Sequence, residues 1–133
     1  MQDPVLTGVY IGATAAELRA NTVAHKSAGI VSQKAMFRRR GAIELRADAL
    51  VLSAWDDHGD LVLRRPDIAS VAREFTSLYG RFLGGLLDAG KPLILDTGTP
   101  AGAVYLLVDR KEFMETTRNK EWARAITEWR GTR

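Results

Sequence analysis

Between Ala42 and Val108 the chain runs through short apolar segments separated by turn-forming residues, and it then closes with one amphipathic helix carrying Trp122, Ile126 and Trp129. Segments of this length cannot bury their own apolar faces, so they must pair into a sheet and roll that face inward. Two indoles on one helical face at i and i+7, with Ile126 between them, need a matching apolar surface, because each large aromatic covers roughly 150–250 Å². The pattern predicts a mainly β domain, a small barrel or bent sheet plugged by one C-terminal helix. It names no chemistry by itself.

Reading along the chain, Val5 to Ala13 is rich in β-branched and aromatic residues and reads as a strand. Thr14 and Glu17 have capping-box spacing, so a helix starts there, and Asn21-Thr22-Val23 predicts that it is brief. Ile30 to Phe37 reads as extended, with Ile30, Met36 and Phe37 as core candidates. Ile43 and Leu45 alternate with Glu44 and Arg46 as in a half-buried strand, and Leu50 to Trp55 returns after a turn at Ala47-Asp48-Ala49. Asp56 to Asp60 reads as a five-residue polar loop leading into Leu61-Val62-Leu63. Pro66 ends ladder donation, which places that strand at an edge or stops it by Arg65, and Ile68 and Val71 resume the apolar pattern. From Thr76 to Ala89 a helical stripe at Leu78, Phe82 and Leu86 competes with Gly80, Gly84 and Gly85, and the reading is a loop with a strand. Lys91 to Asp96 and Val104 to Val108 form a hairpin across Thr97 to Gly102. The closing helix is expected to use Asn119 as its N-cap, with Glu121 in the first turn and Arg124, Thr127 and Glu128 facing away from the core.

At 133 residues the chain is read as one domain, 1–133, large enough to hold a core without a staple. It contains no cysteine, which excludes disulfides, thiolate metal sites and thiol nucleophiles. A formal net charge of +3 is too small for a dedicated nucleic-acid binder, so no nucleic-acid partner is expected. The longest uncharged stretch, Pro4 to Ala16, falls short of the ~20 apolar residues of a membrane span, and Met1-Gln2-Asp3-Pro4 does not read as the start of a signal peptide.

Charge clusters at one place. Lys34, Arg38, Arg39 and Arg40 put four cations within seven residues just before Gly41. Such a cluster holds a phosphate or an anionic lipid headgroup, by point charge from lysine and by bidentate donation from arginine, or else it is a solvated strand edge. Leu93-Ile94-Leu95-Asp96-Thr97-Gly98 resembles the signature of aspartic proteases, whose chemistry needs two carboxylates sharing a proton; a homodimer would supply the second from its other Asp96. Too little chain follows Gly98 for the rest of such an enzyme, and Thr97-Gly98 also reads as turn chemistry. His25 and His58 have no second ligand at metal spacing, and Asp56, Asp57, His58 and Asp60 do not match a calcium loop. With no nucleophile elbow, phosphate loop or dinucleotide fingerprint, neither a catalytic residue nor a metal or other cofactor is assigned. A ligand-holding barrel is a third reading, which a large apolar cavity would support.

The paired strands, the step from Leu63 to Ile68 and Val71, and the single Trp-bearing helix resemble a bacterial pleckstrin-homology-like domain. Gly8 to Thr14, Val23-Ala24-His25 and Leu95 to Gly98 are similar to a group of uncharacterised actinobacterial proteins in which such a domain follows a membrane anchor. Arg64 departs from that pattern where a proline is frequent, and the correspondence weakens from Thr99 onward. The resemblance implies a seven-stranded, strongly bent antiparallel barrel capped by the Trp122 helix, with no catalytic residues. It further implies a binding or scaffolding module for a protein, a peptide or an anionic lipid, cytoplasmic and tethered to the inner membrane in a longer protein. Self-association into a homo-oligomer is left open.

Overall fold

The computed structural model describes residues 5–26, 37–74, 91–109 and 117–131, with the backbone alone over 21–26. Seven strands form one antiparallel sheet: β1 (Leu6–Thr14), β2 (Arg39–Leu45), β3 (Leu50–Asp56), β4 (Gly59–Leu63), β5 (Ile68–Arg73), β6 (Leu93–Thr97) and β7 (Ala103–Val108). Helix α1 (Ala15–Lys26) follows β1, a 3₁₀ turn over Arg65–Asp67 links β4 to β5, and α2 (Asn119–Arg130) ends the described chain. In space the strands run β4-β3-β2-β1-β7-β6-β5, so β1 joins two meanders and pairs with β7 at Tyr10↔Val108 and Ile11↔Leu107. The sheet is mainly hydrogen-bonded to sequence neighbours, and the β1–β7 pairing is what curls the two meanders into one body.

The inward face carries Tyr10, Ile43, Leu45, Leu50, Leu52, Leu63, Leu93, Leu95, Val104 and Leu106, and α2 lays Trp122, Ile126 and Trp129 onto it. The expected face of the helix is therefore the buried one, while Arg124, Thr127 and Glu128 are exposed. A second, smaller cluster lies on the opposite face of β1 and β7, where Leu18 of α1 and Phe37 cover Ala13, Tyr105 and Leu107. This double cover explains why Val104 to Val108 is a continuous buried run rather than an alternating one: both faces of β7 are out of water there.

Helix α2 is fastened at both ends by side chains that reach strand carbonyls. At its C-terminal end, Arg65 Nε donates to Trp129 O and its guanidinium stacks 4.6 Å from the Trp129 ring, while Trp129 Nε1 and Arg65 Nη2 both donate to Ala47 O. Arg130 donates from Nε and Nη2 to the Ile68 and Ala69 carbonyls of β5. These contacts bridge the seam between β4 and β5, the two strands the ladder does not join.

Three details depart from the sequence reading. Helix α1 does not stop near Asn21 but continues to Lys26, through Thr22 and Val23 despite their β preference. The five-residue loop at Asp56 to Asp60 is a two-residue turn, Asp57-His58, with Asp56 paired to Gly59 at φ +121°. Asn119 is not the N-cap: Arg118 precedes the helix without a side-chain cap, and Asn119, buried in the first turn, turns its amide into the sheet. Its Oδ1 accepts from Val108 N at 2.8 Å, and its Nδ2 donates to Lys91 O and Leu106 O at 2.8 and 2.9 Å. Two groups of β7 and the Lys91 carbonyl just before β6 offered this amide three partners where the helix end offered one. Pro66 sits in the 3₁₀ turn after β4, which is both an edge strand and finished by Leu63. Phe37 is buried as expected, whereas Ile30, Met36 and the segment from Thr76 to Ala89 fall outside the described residues.

Candidate functional site

The β2–β3 turn at Ala47 lies under the C-terminal end of α2, so the start of β2 and the β3–β4 turn lie at the other end of the sheet, away from α2. There the capping box predicted at Thr14 forms as expected: Glu17 N donates to Thr14 Oγ1, and Thr14 N donates to Glu17 Oε1. Glu17 has a second use that the sequence did not announce. Its Oε1 also accepts from Arg39 Nε at 2.9 Å, while Arg39 Nη1 donates to Trp55 O and the guanidinium stacks 4.4 Å from the Trp55 ring. Burial pushes the Glu17 carboxyl up, but the Arg39 guanidinium and the Thr14 amide more than offset this and hold its pKa below the ordinary glutamate value.

Arg39, Arg38 and Arg40 are thus distinct groups. Arg39 is a fixed part of the wall, half-buried against Trp55 and Glu17, whereas Arg38 and Arg40 are exposed on either side of it. Lys34 falls outside the described residues. An open groove of about 440 Å³ is lined by Thr14, Arg39, Trp55, Leu61, Pro100 and Ala101. Beside it a wider recess of about 520 Å³ is bounded by the three arginines and by Glu17, Asp56 and Asp57. Three cations and three carboxylates face this recess, so it is a surface of mixed charge rather than a positive patch.

The wall opposite the arginines is held in an uncommon backbone conformation. Ala54 has φ +52°, its N–H donates to Asp60 Oδ1, and the register of β3 on β4 shifts between Leu52 and Asp56. This bulge aims the Ser53 carbonyl at the Tyr10 hydroxyl, which donates to it at 2.7 Å, and Gly41 is glycine because a Cβ there would overlap the same carbonyl oxygen. Burial, with the Arg39 charge opposing and Asp60 assisting, pushes the Tyr10 phenol up to about 12. Trp55, tilted against Tyr10 at 6.1 Å, is therefore supported from below and covered from above by Arg39.

The other candidates are placed as follows. Asp96 is exposed on the outer face of β6, between Leu95 and Thr97, which point inward. Thr97 Oγ1 donates to Gly102 O and shares a hydrogen bond with Thr99 Oγ1, so Thr97-Gly98 serves the β6–β7 turn. The Asp56 carboxylate accepts from His58 N and that of Asp60 from Ala54 N, and no three metal-binding side chains cluster among the described residues. No helix among the described residues is long and apolar enough to cross a membrane. The two cavities described above, both among the described residues, are open, solvent-facing grooves at one end of the sheet.

A curled sheet of seven antiparallel strands with this order, closed by one C-terminal helix, is the pleckstrin-homology-like fold. Among solved structures the chain is similar to one described as the Vps36 N-terminal PH domain, at 13% identity and a TM-score of 0.51, over 97% of this chain and 79% of that one. No family model matches the sequence, and no curated protein is similar to it. At that identity the likeness is one of fold alone.

Proposed function

We propose that the chain is a non-enzymatic binding module whose arginine-lined recess, at the end of the sheet away from α2, receives an acidic side chain or phosphate group of a protein partner. The observation that carries this reading is the trio Arg38, Arg39 and Arg40: the middle guanidinium is pre-positioned on Trp55, and the two outer ones are exposed beside it. A pre-positioned arginine loses little rotamer freedom on binding and offers a planar fork to a carboxylate or phosphate. The charge balance of the recess favours a protein ligand over a flat anionic membrane. Each cation near such a surface contributes about 1 kcal/mol of attraction, and Glu17, Asp56 and Asp57 oppose it.

The test is two-dimensional NMR with poly-aspartate, inorganic phosphate and poly-lysine as probes, alongside sedimentation with phosphatidylserine vesicles. Poly-aspartate is expected to move the signals of Arg38, Arg40 and the Trp55 indole, with roughly tenfold weaker binding once Arg38 and Arg40 are both alanine. Shifts spread evenly over the surface, or none at all, would sink the assignment. Sedimentation with vesicles that depends on the same two arginines would transfer the site to anionic lipid. Placement at the cytoplasmic face of the inner membrane, through an anchor in a longer protein, rests on the sequence resemblance. Fractionation of the full-length product tests it, and recovery in the soluble fraction would overturn it.

A further inference from the structure

The two outer strands of the sheet are not treated alike. The edge at β5 is plugged, because Arg130 donates to the carbonyls of Ile68 and Ala69. The edge at β4 carries no such plug among the described residues, and its outward side chain, Val62, is 47% exposed. Open edges are the surfaces that natural sheets ordinarily blunt with charge, proline or a covering element.

The phase of the ladder fixes which backbone groups this edge presents. Arg46 N donates to Ala49 O across the β2–β3 turn, and antiparallel pairs exchange hydrogen bonds at every second position, so Glu44 and Val51 are bonded to each other. Leu50 and Leu52 then turn their groups toward Leu63 and Leu61 of β4. This leaves the N–H and C=O of Asp60 and Val62 directed away from the sheet. The edge stops at Arg64, whose N–H donates to the Asp67 carboxylate and whose carbonyl accepts from Asp67 N.

We propose that β4 is the contact surface for a second copy of this chain, paired antiparallel about a two-fold axis at Leu61. In that register Asp60 faces the partner's Val62 and Val62 faces the partner's Asp60, so all four outward donors and acceptors of each chain are used, in four main-chain bonds. The free length of the edge, Gly59 to Leu63, is consumed with none left over. Charge agrees with the register. Exposed Arg64, extended at φ −94° and ψ 168°, lies on the outer face with Val62 and stands diagonal to the partner's Asp60, within reach of a long side chain. The sheet continues through both molecules, and each chain covers the other's exposed valine. This contact does not rest on the ligand reading above.

Sedimentation velocity over a concentration series, with hydrogen exchange followed residue by residue, tests the proposal. A monomer–dimer equilibrium is expected, with the amides of Asp60 and Val62 gaining protection as the dimer forms and those of β5 unchanged. Val62→Pro removes only the outward N–H, since the ladder to β3 uses Leu61 and Leu63. It should weaken the dimer at least about tenfold while near-native melting is kept. Should the proline disturb folding, Val62→Lys places a charge at the same spot and is expected to act in the same direction. A monomer at every concentration overturns the proposal and leaves the edge to an extended segment of another protein. A dimer that neither substitution weakens, or whose Val62 amide exchanges as in the monomer, overturns it as well.

Discussion

Replacing Asn119 tests whether a single buried amide holds the closing helix to the sheet. Its side chain satisfies Val108 N and the carbonyls of Lys91 and Leu106 while only 1% exposed, so Asn119→Ala strands one buried N–H and two carbonyls at once. A stranded buried donor costs about 1–3 kcal/mol, and each carbonyl, which keeps a second lone pair, costs less; the better helix propensity of alanine returns a few tenths. The net loss works out at about 2–4 kcal/mol, a large part of the 5–15 kcal/mol that holds a typical domain together, and roughly 10 °C in Tm. Asn119→Asp sharpens the test, because a carboxyl can take the place of the amide donor toward one of those carbonyls, and only while it holds its proton. Its pKa in the folded state is then raised above the unfolded value, so its stabilising contribution is present at low pH and is lost as pH rises through the folded-state value. Urea denaturation followed by tryptophan fluorescence, at about pH 5 and about pH 8, reads both variants. A cost below about 1 kcal/mol for alanine, or an aspartate variant as stable in base as in acid, would refute the clamp.

Two further outcomes follow from the site. Ala54→Gly should stabilise the protein by roughly 0.5–1 kcal/mol, since the left-handed backbone at φ +52° costs alanine about 1–2 kcal/mol and the greater freedom of unfolded glycine takes back part of the gain; a melting temperature at or below that of the parent contradicts the bulge. Glu17 has a folded-state pKa below its unfolded one, so its contribution is present above the ordinary glutamate range and fades as pH falls through the lowered value. Acid unfolding of Glu17→Gln should accordingly start from lower stability and show a shallower pH dependence, and parallel curves for parent and variant would count against the Arg39 pairing.

The architecture was legible because it rests on local patterns that tertiary context reinforces. Ile43 and Leu45, Leu50 and Leu52, and the Trp122-Ile126-Trp129 stripe all face the core their periodicity assigns them. The failures lie where a side chain found a partner far along the chain. Asn119 has the composition of a cap, and nothing nearby reveals that the carbonyls of Leu106 in β7 and of Lys91 just before β6 will claim it. Arg39 reads as one of three equivalent cations until Trp55 and Glu17 are brought beside it. Of the site, the arginine run and the Thr14–Glu17 box could be found from sequence, whereas the pairing of Arg39 with Trp55 depends on the β2–β3 ladder and its bulge. The turn at Asp57-His58 is shorter than its composition suggests because the acidic residues flanking it belong to the strands, Asp56 accepting from the His58 amide of the turn and Asp60 from the Ala54 amide of β3.

Trp129 and Arg130, from the far end of the described chain, join Arg65 in closing the gap between β4 and β5. During synthesis, every strand therefore emerges from the ribosome before the residues that seal the interior, and β1 must wait for β7 before it gains its second neighbour. Such order favours slow, late closure, with the apolar face of the nascent chain unsealed until then. A stop codon or frameshift before Trp129 would thus cost the whole body of the protein, and not only its last turn.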